Sequence, residues 1–373
     1  MYDILIIGGG LSGLISARLL ALEGLSVVVI EKNKYPFHRV CGEYISNEVK
    51  PFLESINCFP HALCPTSIDQ LTITAPSGFS LHAKLDMGAF GISRYAFDDF
   101  LKTRALEAGA IVIEGEQIYD IQQTDGIFIC KSLSQKEYKG KFVIGAQGKR
   151  SVIDKQLKRN FVHQRSPYIG VKYHIRTTHP NDLIALHNFQ NGYCGISKIE
   201  NDTYCLCYLT TRENLRKHGT IPKMEEALLY QNPFLKKIFR ESVFLYDAPE
   251  VINEISFDSK SLSDQQVLFC GDAAGMIAPL CGNGMAMAIH SAKLISESII
   301  LHKDTLDEKV ILEHYQKKWN ATFKQRLWIG RMVQKLFGRN IATEISLRFL
   351  SYFPFLLRWI ISKTHGEVVE VKK

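Results

Sequence analysis

The chain has no apolar run that is both long enough for a bilayer and free of charge. Its most apolar stretch, Ile345–Ile361, holds Arg348 and Arg358 and is broken by Pro354. It has no repeat of fixed period and no low-complexity tract, so solenoids and collagen-like chains are excluded. Tryptophan is scarce: the three present, Trp319, Trp328 and Trp359, all lie near the C-terminal end. Nine cysteines are scattered, an odd number with no framework spacing. The single C-x-C pair, Cys205 and Cys207, sits in the alternating run TYCLCYL without partners at ligand spacing, so no metal is expected. The opening MYDILIIGGG carries neither a basic n-region nor a small-residue cleavage site, so no leader is expected. The thiols are then expected free, in a reducing cytoplasm.

What is present is an ordinary globular composition: 373 residues, 46% hydrophobic and 22% charged. That length allows roughly two to three domains. The net charge of +7 is not spread evenly. From Leu301 onward there are 14 Lys or Arg against 7 Asp or Glu, while the remainder balances at 31 of each. A nucleic-acid binder carries its basic residues over a whole domain, so nucleic acid is not an expected partner.

Asp3–Ile7 (DILII) and Val27–Ile30 (VVVI) are short continuous apolar runs, the mark of strands buried on both faces. A glycine turn and a helix over Leu14–Leu22 lie between them, completing a βαβ unit. Helices are predicted near Ser46–Ser55 and from about Tyr95 to Ala108, and a hairpin over 69–84 with its turn at 76–78. Tyr168–Thr210 reads as a mixed or antiparallel sheet, Val267–Cys270 as another buried strand, and the chain from Thr305 as helix. The expected fold is α/β with two domains: a Rossmann-like dinucleotide domain from 1–67, 88–157 and 262–300, a β-sheet substrate domain from 68–87 and 158–261, and a helical C-terminal region, 301–373.

Gly8, Gly10 and Gly13 fill the three places of G-x-G-x-x-G, with Leu11 and Ser12 opening the helix. The glycines allow the turn, the approach of a pyrophosphate and close helix–strand packing, and the helix N-terminus attracts the phosphates. Glu31, next to Lys32, ends the second strand, where a carboxylate binds ribose hydroxyls. A second glycine-rich segment, VLFCGDAAGMIAPLCGNGM, selects FAD over NAD(H). Asp272, after Gly271, is placed for a ribityl hydroxyl. Pro279 shapes the turn, and Gly282, Asn283, Gly284 and Met285 open a helix whose N-terminus suits the electron-rich end of a flavin.

Together GGGLSG with Glu31, R94-Y95-x2-D98 and GDAAGMIAPLCGNGM resemble the FAD-dependent p-hydroxybenzoate hydroxylase superfamily, most closely its geranylgeranyl reductase branch. The resemblance covers roughly residues 1–300. It implies FAD contacts from Arg94, from Arg39 and from the Cys41-Gly42 pair that follows it. Gln147-Gly148 stands where the hydroxylases carry Asp-Gly, which removes a charge from that position. The branch's aromatic segment is here G192-Y193-C194-G195-I196-S197-K198, lacking its Trp, Phe and Pro, so the substrate differs from the familiar isoprenoid. The resemblance implies an oxidoreductase acting on a hydrophobic substrate. Reduction of carbon–carbon double bonds leads, flavin-dependent hydroxylation of an aromatic or polyketide-like compound is the alternative, and a non-catalytic redox module is the third reading. Cys41 is the candidate proton donor and Tyr193 a cavity residue. NAD(P)H or another reductant supplies electrons. The apolar, basic tail has two compatible readings, a cap over the cavity or an anchor at the inner membrane face.

Overall fold

The computed structural model describes residues 1–163, 166–253, 255, 258–277, 282–336 and 340–371. Two sheets form the molecule. In the first, strands Tyr2–Ile7, Val27–Glu31 and Ile111–Glu114 run parallel to one side, and Glu137–Gly145 and Val267–Phe269 lie parallel on the other. The hairpin Ile118–Thr124/Ile127–Ser132 attaches to Glu137–Gly145, and the short Ser263–Asp264 edges the sheet. The order reverses between Tyr2–Ile7 and Glu137–Gly145. At such a switch point the loops diverge and leave a crevice beyond the strands' carboxyl ends. Ile4–Ile7 and Val27–Ile30 are buried on both faces, as their unbroken apolar character requires.

The second sheet is mixed. Strands Tyr168–Arg176, Tyr204–Thr211, Gly192–Lys198 and Leu183–Phe189 are antiparallel neighbours. Leu183–Phe189 then pairs in parallel with Thr66–Thr74, which forms a hairpin with Ser80–Gly91. That hairpin strand runs on to Gly91, and Tyr44–Ser46 pairs with its end. Residues 44–46 and 88–91, assigned from sequence to the dinucleotide domain, therefore belong to the second sheet. They form the seam between the two.

Helix Arg94–Glu107 begins where Ser93 accepts a hydrogen bond from the Ala96 N–H at 3.1 Å. The tail forms helices Glu308–Leu336, Asn340–Tyr352 and Pro354–Thr364, with the break at the expected proline. It is not a separate body. Ile311, Tyr315 and Phe323 are fully buried in the first sheet's core, and the Tyr315 hydroxyl donates to the Phe269 carbonyl at 2.9 Å. Each such apolar side chain contributes about 1.5–3 kcal/mol on burial, so the long tail helix is part of the dinucleotide layer.

Candidate functional site

The crevice is lined by loops that leave parallel strands. Gly8 adopts φ +106°, and a side chain there would meet the Ala146 carbonyl oxygen at 2.5 Å. A Cβ on Gly13 would lie 2.0 Å from the Gly8 carbonyl oxygen, so strand and helix are as close as backbone allows. Leu11 and Ser12 are buried at the helix start, and Ser12 Oγ packs against Gly271, joining the two glycine motifs. Glu31 Oε2 accepts the Gly9 N–H at 2.7 Å, and its Oε1 accepts two bonds from Asn33. Lys32 is exposed and enters none of these contacts.

The resemblance implies FAD contacts from both arginines. Within the protein both engage Asp98: Arg94 makes two 2.7 Å bonds to its carboxylate, and Arg39 bridges it at 3.2 Å and Glu31 at 3.4 Å. Asp98 is buried, and a buried carboxylate needs a hydrogen-bonded counter-charge. Arg94 Nη2 still lies over the glycine loop, 3.4 Å from where a Gly10 Cβ would stand. A phosphate at the helix N-terminus would therefore meet a pre-oriented guanidinium.

Farther along the crevice, Gly271 and Asp272 form a turn with φ +60° at the glycine. Lys260 Nζ donates to the Asp272 carbonyl at 2.7 Å and the Lys149 carbonyl at 2.8 Å, tying this turn to the Gln147-Gly148 loop. Burial lowers the Lys260 pKa to about 8 and pulls Lys149 down as well, with Asp272 opposing both. Sequence reasoning missed these two lysines. Lys149 directly follows the quoted Gln147-Gly148, but nothing in the sequence reports that it is half-buried. Gln147 donates to Asp154 at 3.1 Å, and Asp154 is held by the fully buried Arg159 at 2.9 Å. A cavity of about 280 Å³ opens beside the turn, lined by Lys260, Trp319, Lys324 and Arg331 among others.

The Cys41-Gly42 loop crosses toward the second sheet, where Cys205 Sγ–H donates to the Cys41 carbonyl at 3.2 Å. Burial raises the Cys41 pKa, with Arg94 the main opposing charge, so this side chain is a thiol at neutral pH. Gly282 adopts φ +66° against the Tyr44 ring. Asn283 Nδ2 bonds Glu48 at 3.0 Å and the Thr364 carbonyl at 3.3 Å, so its amide also anchors the tail. Gly284 and Met285 begin the helix Gly284–Ile300. Pro279 lies outside the described residues. His290 packs on Phe323, and burial lowers its pKa to about 4, as expected of a structural histidine.

Beyond this loop the site becomes apolar. Tyr193 is buried with Tyr44, Leu186 and Leu209, and the tail's Leu347, Leu350 and Leu357 join the same cluster. The tail helices thus cap the inner face of the second sheet.

These residues fit FAD: a glycine loop with no room for side chains, a carboxylate at the second strand's end, an arginine above the helix N-terminus and a polar turn at Asp272. The buried amide oxygens of Gln147 and Asn283, both on loops that carry the sequence motifs, have no hydrogen-bond partner among the described residues. The family model described as FAD dependent oxidoreductase matches residues 3–39, and the squalene epoxidase model matches residues 143–350, more than half of the chain and well into the tail. An uncharacterised protein of Methanosarcina barkeri is 24% identical over 384 residues, covering 95% of this chain and 88% of its own length. Protein FixC of Escherichia coli O157:H7 is 25% identical over 372 residues, covering 90% and 85%. The solved flavin-dependent brominase Bmp2 superposes with a TM-score of 0.80 at 18% identity, covering 97% of this chain and 93% of its own, a likeness of fold.

Proposed function

The chain belongs to the family that the squalene epoxidase model describes, among the FAD-dependent oxidoreductases, and from that premise we propose that it acts on a carbon–carbon double bond of a long apolar substrate, reducing it as the geranylgeranyl reductase branch does. The apolar cluster in which Tyr193 packs with the tail's Leu347, Leu350 and Leu357 carries the reading, because side chains of this kind suit the wall of a lipid-like ligand's site. FAD, when bound, supplies the hydride chemistry. Reduction also needs a proton, and Cys41 is placed to hold one because burial keeps it a thiol. Glu31, Arg94 and the glycine loop would hold the dinucleotide, and Lys149, Lys260 and Asp272 would set the charge farther along the crevice. The proposed electron source is NAD(P)H or another phosphate-bearing reductant, whose charge suits the cations lining the 280 Å³ cavity.

Oxygen insertion is the second reading, favoured by the epoxidase name of the matching family model. The two separate in an oxygen electrode with geranylgeraniol and squalene as probes. The reductase reading expects substrate to reoxidise the photoreduced protein under argon, and no substrate-dependent O2 uptake in air. Stoichiometric O2 uptake would overturn it, and no turnover with any probe would favour a redox module.

The basic apolar tail supports peripheral membrane contact at the inner membrane face. Among the described residues no single helix is long and apolar enough to cross a membrane, and helices Asn340–Tyr352 and Pro354–Thr364 meet at 111°. Ile341, Ile345 and Phe349 recur every four residues along one exposed helix face, and Tyr352, Phe355 and Trp359 are exposed as well. Arg348 and Arg358 stand beside them, the pattern of a segment lying in an anionic interface. The full chain should float with phosphatidylglycerol-containing vesicles and lose this with Ile345→Glu/Phe349→Glu. Equal flotation of the variant, or none of the parent, would remove the membrane from the account.

A further inference from the structure

Two fully buried carboxylates follow the Cys41-Gly42 loop. Glu43 is paired with the second sheet, accepting from Lys172 Nζ and meeting His174 Nε2 at 2.6 Å. Glu48 gathers its donors from far along the chain. Its carboxylate accepts from Arg326 Nη2 at 3.0 and 3.2 Å, from Asn283 Nδ2 at 3.0 Å and from the Gly366 N–H at 2.6 Å. Its carbonyl accepts the Val369 N–H at 2.8 Å. These partners lie on the long tail helix, at the start of helix Gly284–Ile300 and on the strap that follows the last helix.

The strap is closely seated. Val369 is buried in the first sheet's core. Gly366 passes so near the ion pair that a Cβ there would lie 2.5 Å from Arg326 Nη1 and 2.9 Å from Glu48 Oε1. His365 donates Nδ1–H to the Ile361 carbonyl at 3.0 Å, because a carbonyl only accepts. Its Nε2 is then the acceptor for the Tyr44 hydroxyl at 3.3 Å. The Tyr44 ring lies 3.3 Å from where a Gly282 Cβ would stand. The strap therefore reaches the Gly282–Met285 segment by two routes, through Glu48 to Asn283 and through His365 to Tyr44. Both acceptors of the Asn283 amide depend on it. One is the Thr364 carbonyl, at 3.3 Å, and the other is the Glu48 oxygen that also accepts from Gly366. A buried carboxylate is costly to leave short of a donor, so the closed strap and the fixed amide favour each other.

We propose that Glu48 is a positioning residue that couples closure of the C-terminal strap to occupation of the flavin end of the crevice. With FAD seated on Gly282–Met285 the helix start is fixed, and Glu48 draws the strap shut; the shut strap in turn holds that helix start in place. The coupling rests on the flavoenzyme reading and adds a cofactor-dependent cap to it. The strap continues the helix that carries Leu357, so its closure also fixes the cover over the Tyr193 cluster. Only hydrogen bonds change, and no covalent step is involved.

Hydrogen exchange read by mass spectrometry tests the coupling in the full chain. Adding FAD to the apoprotein should slow exchange in residues 365–369 at least about tenfold, a usual size for coupled sites. Helix Pro233–Glu241, which packs in a separate core, should exchange as before. By reciprocity, releasing the strap should weaken FAD binding by a comparable factor. Gly366→Val releases it without changing charge, since the new side chain meets Arg326 and Glu48. The strap of this variant should exchange freely, and its FAD dissociation constant should rise at least about tenfold. Its bound flavin should also be harder to reduce in a dye-equilibration titration, because the positive helix end is no longer held against the ring. Strap exchange that FAD leaves unchanged overturns the coupling, and that comparison needs no variant. Parental FAD affinity and potential in Gly366→Val overturn it too. Protein that takes up no FAD overturns the flavoenzyme reading, and the coupling with it.

Discussion

Gly13→Val protein is expected to purify colourless and to bind less than a tenth of the FAD that the parent binds. The new Cβ would stand 2.0 Å from the Gly8 carbonyl oxygen and 3.3 Å from the Ala146 side chain. The first of these obstacles is backbone, so no rotamer change relieves it. The helix start must move away from the strand, and its N–H groups then no longer converge on one phosphate position. Overpacking of this kind typically costs about 1–3 kcal/mol in stability. The loss of binding is larger than that, because Glu31, Arg94 and Ser12 are all registered on this turn. The ratio of flavin to protein absorbance and a calorimetric FAD titration measure it. Gly24→Asn is the control, at φ +83° in an exposed turn with nothing within 4 Å of the Cβ, and it should stay yellow. A yellow Gly13→Val protein would remove the dinucleotide assignment.

Arg159→Met is expected to lower the free energy of unfolding by about 3–5 kcal/mol, the cost of breaking a buried ion pair and leaving its partner charged. Arg159 is 1% exposed and bonds Asp154 at 2.9 Å, Asp264 at 2.9 Å, the Ala273 carbonyl at 3.0 Å and the Ser261 carbonyl at 2.8 Å. Its guanidinium stacks 3.6 Å over the Phe269 ring. Asp154 in turn closes the capping box with Ser151 and accepts from Gln147. One side chain therefore holds together the Gln147 loop, the Ser261–Asp264 turn and the turn that carries Asp272. Arg159→Lys should recover little, because a single ammonium cannot reach acceptors spread around a planar fork. Adding Asp154→Asn to Arg159→Met should return at least about 1 kcal/mol, since the uncompensated charge disappears. Urea denaturation followed by circular dichroism measures all three. A loss below about 1 kcal/mol in Arg159→Met would show that the arginine is not the hub drawn here.

The strand–glycine–helix unit, Glu31, the late Gly271-Asp272 turn and the break at Pro354 were legible because each depends on local chemistry: apolar runs, residues that tolerate tight backbone, and a missing N–H. Lys149, Lys260, Arg159 and the Glu43–Lys172–His174 cluster were not legible. Lysine, arginine and glutamate are usually exposed, and nothing in their neighbours along the chain marks the first two as half-buried or the others as buried. Asp98 was visible within the R94-Y95-x2-D98 motif, yet its capture of both arginines needed the fold, because Arg39 reaches it across 59 positions. The tail was legible as helical and apolar. That its first helix completes the dinucleotide layer while the next two cap the other sheet emerged only from the packing of Tyr315 and Leu347.

The primary structure alone determined the class of this protein, since an apolar strand followed by closely spaced glycines and a distant acid permits few solutions other than a dinucleotide fold. The tertiary structure decided which charges are silent and which are poised. Pairing between residues more than a hundred positions apart is set by sheet register and loop crossing, and Glu43 meets Lys172 and His174 only because the Cys41 loop is laid across the second sheet. Local sequence carries no record of such a meeting, and the cost of burying those charges is met only once the whole chain has closed around them.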